Sequence, residues 1–353
     1  MTNTIEYPAA IDLRTLPFSP EFTPGAHNAV TTCLRIQPEE KVTLITDRKC
    51  AEIAASMALE LEQVGCQWNA FVLEDLSPRP LVGMPEEVLE DMESSQVSIF
   101  AVEVQPNELR SRMQMTDVVN RQRMRHAHMV NITAEIMTQG MRADFLAIDR
   151  LSQVVLDKVR AATYVRATTA AGTDIHAELS PQYKWFKTSG IISTEKWGNL
   201  PGGECFTAPG EVNGVFVVDG VVGDFLCARY GILRETPLTI AIEGNRIVKV
   251  SSANKALEKE FWEYTHTDEN SDRVGEFAIG TNIGVERVIG NILQDEKFPG
   301  VHIAFGDPYG AHTGAPWKSS THIDVVGLGF NIWLGDADGE EQIMQDGVFL
   351  LDA

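Results

Sequence analysis

Short apolar runs alternate with helical segments through the first part of the chain, and this alternation restricts the possible folds more than any other feature. Segments 50–64 and 85–92 have the pattern of helices, and Gly65 stands where a helix C-cap is expected. Around these helices the sequence predicts strands at Lys41–Thr46, Trp68–Leu73, Val97–Val102 and His128–Ile132. Because strands joined by helices of this length form parallel sheets, the chain is predicted to begin with a parallel-sheet α/β domain.

The turn after the first predicted strand reads DRKC, at positions 47–50. A phosphate-binding fold needs a glycine-rich loop at this place, such as GxGxxG or GxxxxGKS, because backbone N–H groups must approach the phosphates closely. The N-terminal domain is therefore predicted to be architectural or to shape the substrate site, and not to bind a nucleotide.

Strand signals dominate the second half of the chain. Gly214–Val218, Leu238–Ile242 and Arg246–Val250 have β-type composition, and Gly244-Asn245 between the last two is a strong hairpin signal. The change of pattern predicts a boundary near residue 160. The predicted fold class is α/β, with an N-terminal parallel-sheet α/β domain (residues 1–160) followed by a mainly β (α+β) metal-binding catalytic domain (residues 161–353).

The chain is strongly acidic, with 50 Asp and Glu against 29 Lys and Arg and a net charge of −21. Nucleic acid and anionic membranes would repel such a surface, so neither is expected as a partner. Its five cysteines show no CxxC spacing, which favours reduced thiols in the cytoplasm. The first twenty residues lack the pattern of an export signal, and no apolar run is long enough to span a bilayer.

Metal-ligand residue types are concentrated between positions 275 and 324. In THIDVVG, His322 and Asp324 alternate with Ile323, so a strand would place both on one face, about 7 Å apart along the chain. His302 lies in another strand-like run, VHIAFG. Each motif alone has a commoner explanation, namely a histidine hydrogen-bonded to an aspartate or a satisfied core histidine.

Carboxylates near these histidines complete a possible metal site. Glu276 falls in EFAIG, which reads as a buried strand where a carboxylate is costly unless it is paired, hydrogen-bonded or metal-bound. Glu296 precedes a turn and alone would be a solvated acid, and Glu204 lies in the glycine-rich LPGGECFTAP, predicted to be a loop. Four carboxylates and two histidines are enough for two metal ions and too many for one tetrahedral structural site. Tyr309 offers a phenol that could stabilise a tetrahedral intermediate, unless it only packs against Pro308.

Several motifs between residues 172 and 327 resemble the aminopeptidase T family of metallo-aminopeptidases, in particular its shorter members. They are GTDI, NLPGGECFTAP, GEFAIGTN, GNILQDEK, HIAFGDPY and STHID. The resemblance implies a two-ion site with Tyr309 as the active-site tyrosine and Glu276 bridging the ions. The ligands that it implies are Glu204, Glu276, Glu296, His302, His322 and Asp324.

The resemblance also implies further properties of the protein. The ions would be two of cobalt, zinc or manganese, the substrate a short peptide or small molecule, and the assembly a homodimer. Glu204 is the best candidate for the catalytic carboxylate that transfers a proton. Two departures from the family pattern are visible, since Gly203 stands where an acid usually precedes Glu204, and the spacing from Glu296 to His302 is longer by one residue.

The same scaffold is compatible with a second kind of reaction. The 2,5-dihydroxypyridine dioxygenases look like relatives, and they hold one iron with two histidines and an aspartate. His302, His322 and Asp324 could form such an Fe(II) site. That family has a histidine where this chain has Glu276, so the glutamate favours a metal-dependent amide hydrolase over a ring-cleaving dioxygenase. A non-catalytic binding protein, which would hold no stoichiometric metal, is a third possibility.

Overall fold

The computed structural model describes residues 10–351. Part of the segment without an export pattern, residues 1–9, lies outside this range. The described chain forms two compact units, one running to Phe145 and including Gly190–Pro201, and the other comprising Leu146–Ser189 and the residues from Gly202 onward. The predicted domain boundary near residue 160 stays a prediction, because compactness does not show which segments fold independently.

The first unit is built on a five-stranded sheet in which every strand pair is parallel, with the order β2-β1-β3-β4-β8. Its strands are β1 (Lys41–Thr46), β2 (Gln67–Val72), β3 (Val97–Val102), β4 (Arg125–Val130) and β8 (Gly198–Asn199). Its α-helices are α1 (Thr23–His27), α2 (Ala51–Val64), α3 (Leu73–Leu76), α4 (Glu86–Glu93), α5 (Leu109–Gln122) and α6 (Ala134–Thr138). Short 3₁₀ turns occupy Pro20–Phe22 and Gly140–Arg142, and a π-helical segment follows α1 at Asn28–Cys33.

Local chemistry explains where the prediction for this unit succeeded and where it failed. Helix α2 ends at Gly65, whose φ of 76° is the left-handed conformation expected of a glycine cap. Helix α5 was not predicted, and β4 begins at Arg125 and not at His128. His126 is buried, and its Nδ1 lies 2.8 Å from Ser98 Oγ. This hydrogen-bonded polar residue inside β4 interrupts the apolar pattern from which a strand is predicted.

The second unit contains two antiparallel sheets, and the larger has the order β12-β11-β10-β6-β5-β16-β17-β18. Its strands are β5 (Tyr164–Thr169), β6 (Asp174–Glu178), β10 (Glu211–Val218), β11 (Leu238–Glu243), β12 (Arg246–Ser252), β16 (Phe330–Asp336), β17 (Gly339–Gln345) and β18 (Val348–Phe349). The predicted hairpin joins β11 to β12 through Gly244 and Asn245, both of which have positive φ, as a tight hairpin turn requires. The helices of this unit are α7 (Phe145–Ala161), α8 (Asp224–Tyr230), α9 (Lys255–Tyr264), α10 (Ile292–Asp295) and α11 (Gly310–Thr313).

The smaller sheet of this unit has the order β15-β14-β13-β9-β7. Its strands are β7 (Phe186–Thr188), β9 (Glu204–Thr207), β13 (Val274–Gly280), β14 (Gly300–Gly306) and β15 (His322–Val326). Phe277, Ile279, Ile303 and Phe305 belong to the main apolar core of the unit. Because side chains alternate along a strand, the residues between them face the other side of this sheet, and there the polar site is built.

The mixed α/β architecture, with one parallel sheet and separate antiparallel sheets, confirms the predicted fold class. Among residues 10–351, no helix combines the length and apolar character that crossing a bilayer requires.

Candidate metal centre

Strand pairing in the smaller sheet brings most of the predicted ligands to one face. Residues directly opposite each other in an antiparallel pair have side chains on the same side. The opposed pairs on this face are Glu276 with Ala304, Ala304 with Asp324, His302 with Ala278, His322 with Gly306, and Glu204 with Gly280. Alanine and glycine therefore alternate with the ligand-type residues, which leaves space between the polar side chains.

The position of Glu276 depends on an irregularity in β13. The pairing with β14 shifts register between Val274 and Glu276, so Gly275 is the extra residue of a β-bulge. A Cβ atom at position 275 would lie 2.6 Å from the carbonyl oxygen of Gly306, so only glycine fits this close approach. The bulge directs the buried Glu276 side chain, which is 8 % exposed, toward the histidines.

Glu204 is the first residue of β9 and is buried, and its predicted location in a loop is wrong. The glycine-rich loop ends one residue earlier, at Gly203, where φ is 129° and an added Cβ would lie 2.6 Å from the Cβ of Asn282. This backbone leaves no room for a second acid at position 203. Thr188 Oγ1 donates a 2.8 Å hydrogen bond to Glu204 Oε1 and so orients the carboxylate.

His302 has a buried ring nitrogen that fits a metal ion. Its Nε2 lies 3.4 Å from Glu204 Oε2 and 3.5 Å from Glu276 Oε1, and in the described part of the chain it has no hydrogen-bond partner of normal geometry. Burial opposes the charged imidazole, but the Glu276 and Glu204 carboxylates outweigh it and raise the pKa of His302. A buried nitrogen without a partner, facing two carboxylates, is the arrangement that a cation would satisfy.

His322 is oriented by its second ring nitrogen. Nδ1 lies 2.9 Å from the carbonyl oxygen of Asp307, which can only accept a hydrogen bond, so Nδ1 carries a proton and Nε2 is the atom available to a metal. Nε2 faces Asp324 Oδ1 at 3.5 Å and Glu276 Oε2 at 3.9 Å. Although burial opposes the imidazolium, the Asp324 and Glu276 carboxylates raise the pKa of His322 to about 10.

Glu296 follows α10 and caps its C-terminal end. Together with His302 and Asp324 it forms one group of potential ligand atoms that lie within 4.8 Å of one another, and Glu204, Glu276 and His302 form another. Burial is the main cause that raises the pKa of Glu296 to about 8, with Lys297 opposing it. Asp324 behaves differently, since His322 overcomes the effect of burial and lowers the pKa of its carboxyl.

Lys297 is a member of the cluster that the sequence did not predict. It is 1 % exposed, and its ammonium group contacts Glu204 Oε1 at 2.7 Å and Glu296 Oε1 at 2.5 Å. Burial alone would raise the pKa of Glu204, but the Lys297 ammonium group, with help from His302, outweighs this effect, lowers the pKa and holds the carboxyl ionised. In the sequence its only signal was its place beside Glu296 in QDEKF, where a lysine reads as a surface residue.

Tyr309 lies beside the histidines, with its ring centroid 4.5 Å from that of His322. Its backbone is left-handed (φ 49°, ψ 49°), an unfavourable conformation for tyrosine that is held by a hydrogen bond from its N–H to Asp307 Oδ1. Burial and the charges of Glu276 and Asp324 raise the pKa of the phenol, so its hydroxyl is protonated and can donate. The residue is nevertheless 44 % exposed and therefore accessible to a substrate.

The chemistry of this donor set suits a hard or borderline divalent cation, because it consists of carboxylate oxygens and imidazole nitrogens. The model of the thermophilic metalloprotease (M29) family matches residues 151–349, which is more than half of the 353-residue chain. This chain belongs to the M29 family. Membership confirms the expected enzyme class, a metallo-aminopeptidase-like hydrolase, and implies divalent metal ions as cofactors.

Two solved structures share the fold of this M29 member. Wild-type AmpT from Thermus thermophilus aligns with a TM-score of 0.68 and 17 % identity, over 94 % of this chain and 99 % of that one. A 2,5-dihydroxypyridine dioxygenase from Pseudomonas putida KT2440 aligns with the same TM-score and 14 % identity, over 95 % and 99 % of the two chains. A comparison with curated protein sequences gave no match. At such identities the structural likeness establishes the fold, and the chemistry has to be argued from the site.

Proposed function

We propose that this protein is a metal-dependent aminopeptidase-like hydrolase that cleaves the amide bond of a short peptide or related small molecule at this centre. One observation carries the proposal: four carboxylates form two groups of potential metal ligands that share the buried His302, whose Nε2 has no hydrogen-bond partner among the described residues. Divalent ions supply Lewis acidity and lower the pKa of water, which is what amide hydrolysis near neutral pH requires.

The ligand set is large enough for two ions when fully loaded, and we place Glu276 between them. The two oxygens of its carboxylate face different histidines, Oε1 toward His302 and Oε2 toward His322. Glu204 and His302 would complete one side, and Asp324 with His322 or Glu296 the other. Hydrogen bonds behind the potential ligands support these roles, since Thr188 orients the Glu204 carboxylate and the Asp307 carbonyl orients the His322 ring.

Two residues are proposed to act on the substrate. The protonated Tyr309 hydroxyl would donate a hydrogen bond to the oxyanion that forms on the carbonyl under attack. Glu204 is the proposed proton-transferring carboxylate, although Lys297 lowers its pKa and makes it a weaker base than Glu296 in the metal-free protein. Comparing the pH profiles of the Glu204→Gln and Glu296→Gln variants would identify the carboxylate that transfers the proton.

The test is to remove metal, reload the protein with Co²⁺, Zn²⁺ or Mn²⁺, and measure hydrolysis of aminoacyl p-nitroanilides and dipeptides. Ferrous iron with 2,5-dihydroxypyridine is assayed in parallel by oxygen uptake. We expect amide hydrolysis that depends on added metal. One iron per chain with oxygen consumption, and no hydrolysis with any metal, would replace the proposal by the dioxygenase alternative.

A homodimer and a cytoplasmic location remain part of the proposal. Light scattering coupled to size-exclusion chromatography tests the dimer, for which a mass near twice 38.9 kDa is expected.

A further inference from the structure

The ammonium group of Lys297 lies where the two potential ligand groups of the centre meet. Glu204, from one group, and Glu296, from the other, each contact it through Oε1, at 2.7 Å and 2.5 Å. Its side chain is 2 % exposed, so solvent does not screen its charge. One oxygen of each carboxylate is thereby already engaged by a cation that belongs to the chain itself.

Lys297 is fixed in this position by its backbone. Its N–H donates to the carbonyl oxygen of Gln294 at 2.9 Å, and its own carbonyl accepts from the N–H of Asn282 at 3.0 Å. The next residue packs directly on β13, since a Cβ atom on Gly280 would lie 2.0 Å from the carbonyl oxygen of Phe298. The backbone that carries the Lys297 side chain is therefore held against the sheet beside the centre.

A second divalent ion would need the same carboxylates. An ion in either of the two potential ligand groups would lie close to the ammonium group, and unscreened like charges repel strongly at such distances. A single ion leaves Lys297 in place, and the Glu276, His302, His322 and Asp324 side chains remain available to bind it.

We propose that Lys297 is a resident cation that takes the place of one of the two metal ions. The native protein then holds one ion tightly, and it binds the second only weakly because that ion must displace the contacts of Lys297 with Glu204 and Glu296. This inference rests on the proposed metal-dependent function and defines the stoichiometry of that same site.

The test is a metal count on the full-length protein. Metal-free wild type, Lys297→Met and Lys297→Gln are titrated with Co²⁺, followed by visible absorption and by native mass spectrometry. Wild type should bind one ion, and the neutral variants two. Loss of the buried positive charge should tighten binding of the second ion by about 100-fold, as expected for a desolvated charge contact.

Lys158→Met is the matched control, because it removes the same charge from a partly exposed pair with Glu341 and should leave the count at one. Two tightly bound ions in wild type, or one ion in both wild type and the folded Lys297 variants, would overturn the inference and leave the proposed function intact. No metal in any protein would overturn both. Circular dichroism shows whether the Lys297 variants fold. If neither variant folds, the metal count of the wild type still tests the inference, because two tightly bound ions would overturn it.

Discussion

Each of the two units buries a cluster of charged side chains, and the clusters differ in how completely their polar atoms are hydrogen-bonded. In the first unit, Arg79 lies between Asp47 and Glu108, with side-chain exposures of 3 %, 1 % and 5 %. Arg79 donates to Asp47 Oδ2 at 2.7 Å and to Glu108 Oε1 at 2.8 Å, and it also contacts Glu108 Oε2. Backbone N–H groups of Cys50 and Leu81 complete the network.

The cluster of the second unit is built from similar residue types but is not balanced in this way. Four carboxylates surround one lysine and two histidines, and the Nε2 of His302 has no hydrogen-bond partner among the described residues. Buried polar groups are normally satisfied, so a native cluster that leaves one unsatisfied requires an explanation. The difference indicates that the satisfied Arg79 network stabilises the fold, whereas the unsatisfied Nε2 of His302, which faces two carboxylates, suits a bound cation.

Breaking the second cluster should remove function and leave the fold intact. We expect Glu276→Gln to weaken metal binding by at least about 100-fold and to reduce hydrolysis to background, since a central ligand is lost. The melting temperature of the metal-free protein should stay the same or rise, because one of several crowded carboxylates becomes neutral. Metal titration and calorimetry measure both. The exposed Glu243→Gln is the control, and an active Glu276→Gln enzyme would contradict the assignment.

Breaking the first cluster should have the opposite result. Arg79→Met leaves two buried carboxylates without their partner, and we expect it to lower the free energy of unfolding by about 3–5 kcal/mol. The metal count should not change. Urea denaturation measures the effect, and Arg121→Met, which removes an exposed pair with Glu93, should cost less than about 1 kcal/mol. Equal losses in the two variants would show that the Arg79 network is not a main source of stability.

Tyr309→Phe sharpens the comparison by separating catalysis from metal binding. If the hydroxyl stabilises an oxyanion, kcat should fall by about 100-fold while KM and the metal count change little. Steady-state kinetics and native mass spectrometry measure these quantities. Tyr183→Phe, at a tyrosine that packs edge-on against Trp317, is the control. A change in metal count in Tyr309→Phe would assign the phenol to the ligand set instead.

Much of the fold could be predicted because its signals are local. The alternation of strands and helices indicated the parallel sheet, and Gly244-Asn245 indicated the hairpin, since each depends on neighbouring residues. Glu276 was singled out because a carboxylate inside an apolar strand is locally anomalous. These features need no knowledge of distant contacts.

The remaining features of the site depend on contacts between distant segments. Lys297 has a partner ninety-three positions earlier, Glu204, and nothing near it in sequence distinguishes it from a surface lysine. The bulge at Gly275 depends on the carbonyl of Gly306, and the glycine at position 203 depends on Asn282. Register and close approach are set by pairing across a sheet, and a single sequence does not record that pairing.

The last prediction concerns protons, because four carboxylates with only one lysine among them retain protons in the metal-free protein. The pKa of Glu296 is raised to about 8 and that of His322 to about 10, so at pH 6.5 both groups are protonated. A divalent ion beside these groups displaces their protons and that of His302, whose pKa is also raised, so binding should release at least two protons at pH 6.5 and fewer at pH 9, where Glu296 is already ionised. Metal affinity therefore rises with pH over this range, by up to about tenfold per pH unit for each proton displaced.

Titration calorimetry in buffers of different ionisation enthalpy counts the protons, and the Glu296→Gln variant should release one fewer at pH 6.5. A release that does not change with pH would mean that the carboxylates are ionised before metal arrives, and that Lys297 and the histidines alone balance their charge.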